Sequence, residues 1–165
     1  MDIRLADSTH TPGLISLLKQ VGQVHHDIRP DIFPAGTQKY DENQLEALLA
    51  DENCPIFVAL ENNAVVGHCF CQIDSVAAGR SSCPRTELYI HDLCVDEHCR
   101  CKGIATALYR YVVEYAAEKG CQCITLNVWS GNDNALRFYE KMGMKPRKIV
   151  MEQKCLPLGE GGKNL

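Results

Sequence analysis

The sequence predicts an α/β (α+β) protein in which a mixed, mostly antiparallel sheet of six to seven strands carries helices on both faces. Three observations predict this class. The hydrophobic spacing switches between helical and strand periods in the order β-α-α-β-β-β-α-β-α-β. Short turns join the central strands, as in an antiparallel meander. A later strand–helix–strand crossover places its two strands in parallel.

The first third of the chain predicts one strand and two helices. Residues 2–5 form a short strand, and Thr11-Pro12 is typical of an N-cap followed by proline in the first helical turn. Residues 25–40 have no clear period and contain two prolines and a glycine, which predicts an ordered loop. Asp41 to Gln44 resembles a capping box that starts the second helix.

The rest of the chain predicts the remaining strands and helices. A turn at residues 61–63 joins two strands into a hairpin. A long helix begins after Gly103 and ends before Gly120, and a short helix ends at Gly143. Strands are predicted at residues 55–60, 64–74, 86–95, 123–129 and 145–154, and the short helix at residues 132–142.

Length and charge limit the classes of protein. The 165 residues predict a single domain over residues 1–156, with a disordered tail at 157–165. A net charge of −4 argues against a nucleic-acid partner. No stretch of about 20 apolar residues predicts a membrane span. The N-terminal residues do not read as a signal peptide, so we expect a cytoplasmic protein.

Ten cysteines are many for a chain of this length. Three pairs have C-x-C spacing, whereas zinc sites use wider spacing. On a strand this spacing merely places two thiols on one face. Free thiols are therefore the favoured interpretation and no metal is expected, with a structural metal or disulfides as the alternatives. The pairs are Cys69/Cys71, Cys99/Cys101 and Cys121/Cys123.

The connection between the third strand of the meander and the long helix has the features of an anion site. It reads Arg-Cys-Lys-Gly over residues 100–103, directly before the helix. The first amides of a helix lack internal partners, and Gly103 allows a ligand to approach closely. The alternative is that Arg100 and Lys102 are solvated charges and that Gly103 is a plain turn.

Two motifs then resemble a known family. Residues 100–105, RCKGIA, match R-x-x-G-x-G/A, and residues 132–144, NDNALRFYEKMGM, are similar to N-x-x-A-x-x-F-Y-E-x-x-G-F. Both resemble the GNAT family of N-acetyltransferases, and the element order agrees over residues 2–154. The resemblance implies the GNAT fold, in which the fourth and fifth strands splay apart, and it implies acetyl-CoA as co-substrate.

The resemblance also implies which residues hold acetyl-CoA. Main-chain groups at the end of the fourth strand bind the pantetheine arm, and the amides of residues 101–106 hold the pyrophosphate. Asn132 resembles the family's pantetheine-contacting asparagine, although it also suits a helix N-cap. The implied cofactor-binding residues are Leu93, Cys94, Val95, Arg100, Cys101, Lys102, Gly103, Ile104, Ala105, Thr106, Asn132, Ala135 and Tyr139.

Acetyl transfer to an amine needs an acid and a base. Tyr139 resembles the family's general acid, which protonates the departing thiolate; from its sequence context alone it equally suits an aromatic core position. The base is open between Glu87, His91 and ordered water. Regular alternation places Glu87, Tyr89 and His91 on one face of the strand and Asp92 on the other. A β-bulge would switch that assignment.

The acceptor wall of the family follows the first helix. Relatives that acetylate protein N-termini often carry Glu or His where this chain has Asn127 on the fifth strand, and an amide cannot take a proton at neutral pH. The predicted acceptor-site residues are His26, Phe33, Tyr89, Asp92 and Asn127.

The leading hypothesis is therefore an acetyl-CoA-dependent N-acetyltransferase that acts by direct attack in a ternary complex. We expect a small-molecule amine as acceptor, with a peptide or protein amine as the alternative. Hypotheses from other classes are a CoA-binding module without turnover and a thiol-based metal or redox protein. A homodimer is expected only by analogy with the family.

Overall fold

Five strands form one open sheet in the computed structural model, which describes residues 1–80 and 83–155. The strand order is β1-β2-β3-β4-β5, antiparallel from β1 to β4 and parallel between β4 and β5. The strands are β1 (Asp2–Leu5), β2 (Ile56–Glu61), β3 (Ala64–Val76), β4 (Arg85–Val95) and β5 (Cys123–Leu126), and the helices are α1 (Thr11–Ile28), α2 (Glu42–Leu49), α3 (Ile104–Glu118) and α4 (Asp133–Lys141). This confirms the predicted mixed α/β class.

Helix α1 is longer than the sequence predicts. A capping box between Asp7 and His10 starts a short 3₁₀ turn, and α1 follows with Thr11 as its first residue rather than as its cap. The helix continues to Ile28, so the start of the predicted loop, including His25 and His26, is its last turn. Pro30 limits further extension, because proline disfavours helical geometry in the residue before it.

The sheet packs helices on both faces. Ile56, Val58 and Phe70 lie in one core cluster with leucines of α1 and α2. The neighbouring Phe57 faces the other way, and its ring contacts Tyr115 of α3 at 4.9 Å between centroids. Because β2 is buried on both sides it reads as a continuous apolar run instead of an alternating one.

Strands β4 and β5 separate part-way along their length. Their ladder covers Glu87 to Ile90 on β4 and Cys123 to Leu126 on β5. Beyond Ile90, β4 continues to Val95 on the β3 side. The fifth strand therefore ends three residues before the predicted Trp129, and Asn127 lies outside it. The predicted parting of the fourth and fifth strands is present at this point.

A second compact unit begins at Asn134. It contains most of α4, which stops where Gly143 takes φ +91°. The predicted last strand at 145–154 is wrong, because these residues form no ladder and Ile149, Val150 and Met151 are more than 80% exposed. β-Branched residues alone do not make a strand without partners. Five strands, not six or seven, are present in the residues described.

The predicted tail at 157–165 lies outside the described residues, and the single-domain boundary at 156 stays a prediction. Over residues 1–80 and 83–155, every helix is too short or too polar to traverse a lipid bilayer.

Candidate active site

The turn before α3 presents backbone N–H groups. Asp96 opens the turn, and its carboxylate accepts a hydrogen bond from the His98 amide at 2.9 Å. Cys101 and Gly103 then take left-handed conformations, with φ +63° and +83°. Gly103 is the N-cap of α3 and has no side chain to cap the helix. The amides of the first turn of α3, which begins at Ile104, lie at a helix start where no preceding turn supplies acceptors.

The space beside this turn is open. A Cβ atom added at Gly103 would meet no atom within 4 Å. Lys102 is exposed, whereas Arg100 turns back and its Nε donates to the Val95 carbonyl at 3.4 Å. Free amide directions, open space and two cations fit a pyrophosphate group.

Gln20 of α1 fixes the start of this turn and was missed by sequence reasoning. Its Nε2 donates to Asp96 Oδ2 at 3.0 Å, and its Oε1 accepts from the Glu97 amide at 3.1 Å. These partners are more than 70 positions away in the sequence, so no local spacing indicates them. The side chain ties α1 to the end of β4.

A β-bulge in β4 rearranges the predicted faces. The register pairs Phe70 with Asp92 and Cys71 with Ile90, so His91 is the additional residue. Asp92 therefore shares the face of Phe70, which packs toward α1 and α2. Regular alternation had placed Asp92 opposite Tyr89 and His91, and the bulge shows that this assignment was wrong. Asp92 now lies on the same face as both residues.

Lys39 is the partner of Asp92, and the sequence analysis did not select it. Its Nζ lies 2.7 Å from Asp92 Oδ2. The lysine side chain is 41% exposed and the aspartate side chain only 4% exposed. Burial acts to lower the pKa of Lys39, but the Asp92 carboxylate outweighs burial, so this pKa is raised. Lys39 therefore keeps its positive charge at neutral pH.

Two half-buried histidines surround this pair. His91 Nε2 bonds Gln72 Oε1 at 2.9 Å, and its ring contacts Tyr89 at 4.8 Å between centroids. Burial lowers the pKa of His91, and the Lys39 charge adds to this effect. Burial likewise lowers the pKa of His25. Both rings are neutral at pH 7 and able to accept a proton. Glu87 is engaged by the guanidinium of Arg85.

Aromatic rings continue this surface. Phe33 contacts His25 at 5.0 Å and Trp129 at 5.3 Å between ring centroids. The Arg29 guanidinium lies 5.8 Å from the centre of the Trp129 ring. His26 bonds the Phe33 carbonyl oxygen at 2.8 Å, a contact that helps to position Phe33 in the wall. The structure thus brings three predicted acceptor-site residues together with two that were not predicted. The predicted residues are Phe33, Tyr89 and Asp92, and the others are His25 and Lys39.

The remaining predicted residues follow β5 or belong to α4. Asn127 is exposed after the end of β5. The Asn132 amide donates to the Trp129 carbonyl at 2.9 Å. Ala135 and Tyr139 lie half-buried on α4 in the second unit, where the Tyr139 carbonyl accepts from Met144 and its ring contacts Phe138 at 5.1 Å.

The cysteines are present as thiols. All ten lie among the described residues, where none of them forms a disulfide, and Cys69 and Cys71 have their sulfur atoms 3.6 Å apart inside the sheet. Burial raises the pKa of Cys94 to about 12. Over the described part of the chain, no three His, Cys, Asp or Glu side chains converge as a metal site. An open hollow beside Thr9, Gly13 and Asn63 is lined by none of the predicted site residues.

Comparison with known proteins identifies the family. A model of the acetyltransferase (GNAT) family matches residues 21–144. The chain belongs to this family. It is 28% identical over 144 residues to the uncharacterized N-acetyltransferase YhfO of Bacillus subtilis, covering 87% of this chain and 89% of that protein.

An archaeal relative is longer. The uncharacterized N-acetyltransferase MJ1207 of Methanocaldococcus jannaschii is 32% identical over 95 residues, or 57% of this chain, and the match spans only 40% of that protein. Among solved structures, a tetramutant of the BH1408 protein from Bacillus halodurans has a TM-score of 0.90 at 26% identity, covering 94% of this chain and 100% of that one. Aminoglycoside acetyltransferases at 20–22% identity share the fold of this GNAT chain.

Proposed function

We propose that this GNAT protein transfers the acetyl group of acetyl-CoA to the primary amine of a small molecule, by direct attack in a ternary complex. The observation that carries the proposal is the turn at residues 100–103. It presents open amides after the end of β4, the strand that leaves β5 beyond Ile90. The family motif falls on that turn, and the charged acceptor-side residues lie on the adjoining part of β4.

The main chain performs the binding in this proposal. Amides of Cys101 to Thr106 hold the pyrophosphate, with Lys102 contributing charge. The β4 edge at Leu93 to Val95 bonds the pantetheine arm and polarises the thioester carbonyl, because alternate backbone groups of a strand point away from its β3 partner. Asn132 and Ala135 contact the arm by their places in the second motif.

Proton movements need two groups. Tyr139 occupies the motif position of the general acid and protonates the departing thiolate. On the acceptor side His91 is the stronger candidate for the base, because it is neutral, half-buried and adjacent to the bulge. Glu87 is already engaged by Arg85 in an ion pair, which makes it the weaker of the two candidates.

A small-molecule acceptor is favoured by the way the acceptor side is closed. The segment between α1 and α2 is fastened across β4 by Lys39 and Asp92 and against Trp129 by Phe33. A peptide would need an open groove along this segment. Asn127, exposed and unable to accept a proton, agrees with this preference.

The test is an acetyl-CoA assay with a panel of polyamines, aminoglycosides, arylalkylamines, amino acids and short peptides. Product should be detected by mass spectrometry, since exposed cysteines of the chain such as Cys83 and Cys101 would react with thiol reagents. We expect turnover with a small amine and calorimetric binding of CoA. No CoA affinity would refute the proposal, and turnover restricted to peptides would refute the small-molecule assignment.

Tyr139→Phe tests the acid. The rate should fall about 10²-fold or more if the hydroxyl protonates the thiolate. Tyr115→Phe is the matched control, because this tyrosine packs its ring on Phe57 beneath α3. An unchanged rate in the Tyr139 variant would remove it from the mechanism.

A further inference from the structure

The pairing of Lys39 with Asp92 is unusual in its asymmetry. The carboxylate is inside the protein and the ammonium lies near the surface, 53 positions away in sequence. A buried carboxylate without a cation is strongly destabilising, so some cation must occupy this place. Nothing in that requirement demands that the cation come from the protein.

Lys39 stands on an irregular segment between α1 and α2. No helix or strand lies between Ile28 and Glu42, and the local bonds in this stretch are turn contacts such as Thr37 Oγ1 to the Pro34 carbonyl. The Lys39 ammonium also lies 5.3 Å from the centre of the Tyr40 ring. That ring offers a second position to a cation leaving Asp92, because an aromatic face attracts an ammonium.

The surroundings of Asp92 suit an amine. His91 and His25 are neutral proton acceptors close enough to respond to the charges of the pair. His68 lies on the same face of the sheet, and both of its buried ring nitrogens lack a hydrogen-bond partner among the residues described. Beyond His25, Phe33 and Trp129 provide an aromatic wall.

We propose that the Lys39 ammonium holds the place of the acceptor's own ammonium, and that the acceptor binds by taking over the carboxylate of Asp92. The inference rests on the proposed function and narrows its substrate class. The acceptor arrives protonated, displaces Lys39, and carries an aromatic body that contacts Phe33 and Trp129. It has one positive charge, because the displaced Lys39 borders the site and repels a second one.

Binding can be measured without acetyl transfer. The probe is N,N-dimethyl-2-phenylethylamine, whose tertiary ammonium keeps the charge and one N–H donor but accepts no acetyl group. Trp129 is the one tryptophan of the chain and lies in the aromatic wall, so its fluorescence reports occupancy. Phenylacetate and 2-phenylethanol are the anionic and neutral comparisons.

Three variants separate the roles. Lys39→Met removes the competing cation and should tighten probe binding about tenfold, as expected when the binding-competent form no longer has to be generated. Asp92→Asn should weaken binding at least about tenfold, because a charge-assisted bond is lost. Lys119→Met is the matched control: its ammonium also lies on a tyrosine ring, 5.4 Å from Tyr115, and binding should not change.

A second measurement uses the unaltered protein, in case Lys39→Met does not fold. Acetylation of lysines by an N-hydroxysuccinimide ester, read by mass spectrometry, should increase at Lys39 as the probe is added and stay constant at Lys119. The probe itself cannot consume the reagent as a primary amine would. Labelling of Lys119 reports any general effect of the probe on the reagent or on the protein.

Each contrary result overturns the inference. Weaker or unchanged binding in folded Lys39→Met, or probe-independent labelling of Lys39, means that Lys39 is not a placeholder. Phenylacetate binding that depends on Lys39 means that the lysine anchors an anion. Because acetyl-CoA is absent from these titrations, a protein without transferase activity can still pass them, and an active enzyme can fail them.

Discussion

His68 should make the folded protein lose stability as the pH falls. The loss should begin near pH 6.5, above the range in which carboxylates titrate. The side chain is fully buried on β3, and burial lowers its pKa to about 3 from a usual value of 6.5. The Lys39 charge contributes to the same shift. Between these two pKa values, His68 is protonated in the unfolded chain and neutral in the folded protein. Stability is complete above pH 6.5 and is lost progressively as the pH falls toward 3.

The magnitude follows from the size of the shift. Each pKa unit corresponds to about 1.4 kcal/mol, so lowering the pH from about 7.5 to about 5 should cost roughly 2 kcal/mol through His68 alone. Burial also lowers the pKa of His25 and His91, which steepens the dependence further. These two contributions remain when His68 is replaced, so a difference between proteins isolates His68.

Urea unfolding at several pH values, followed by Trp129 fluorescence under reducing conditions, measures the effect. His68→Leu should have a dependence on pH that is shallower than the original protein by about 2 kcal/mol between these limits. His98→Leu, at a side chain 85% exposed, is the control and should keep the original dependence. Equal slopes for the original and His68→Leu proteins would refute the reasoning, whatever their absolute stabilities.

The other predictions concern glycines. Gly103→Ala and Gly36→Ala should each cost about 1 kcal/mol, since both have positive φ and open space around the Cβ position. Only Gly103→Ala should also weaken CoA binding in calorimetry; equal CoA affinity in both variants would contradict the pyrophosphate assignment. Gly22→Ala should raise the acceptor KM with CoA affinity unchanged, because the added Cβ would lie 2.3 Å from the Thr37 carbonyl oxygen and displace the segment between α1 and α2. An unaltered KM would show that this segment is not part of the acceptor wall.

The sequence predicted those features that local physics determines. The Asp41 capping box, the hairpin turn at Asn62 and Asn63 and the helix stop at Gly120 are each decided by a few neighbouring residues, and the structure contains all of them. The last strand at 145–154 failed because pairing depends on a partner strand and not on composition. The extent of α1 was underestimated because His25 and His26 have no marked preference that would extend or end a helix.

The acceptor side was only partly predictable, for a different reason. A one-residue bulge has no signal in a strand whose residues are all compatible with either face, yet it decides whether Asp92 lies among the histidines or beneath α3. Lys39 could not be selected either, since a lysine in an irregular segment is ordinarily solvated. Its role depends on a carboxylate that only the fold brings to it.

Two long-range polar contacts, one from Gln20 and one from Lys39, reach β4 and the turn that follows it. Gln20 holds the strand's exit at Asp96, where the proposed pyrophosphate turn begins, and Lys39 holds Asp92 four residues earlier. The interval between them is the Leu93 to Val95 edge, which in the proposed function must keep a fixed position for the thioester. If Lys39 leaves Asp92 when an acceptor binds, the Gln20 tie still fixes the turn. Acceptor exchange can then proceed without disturbing bound CoA, so Lys39→Met should change the affinity for amines and leave the affinity for CoA unaltered.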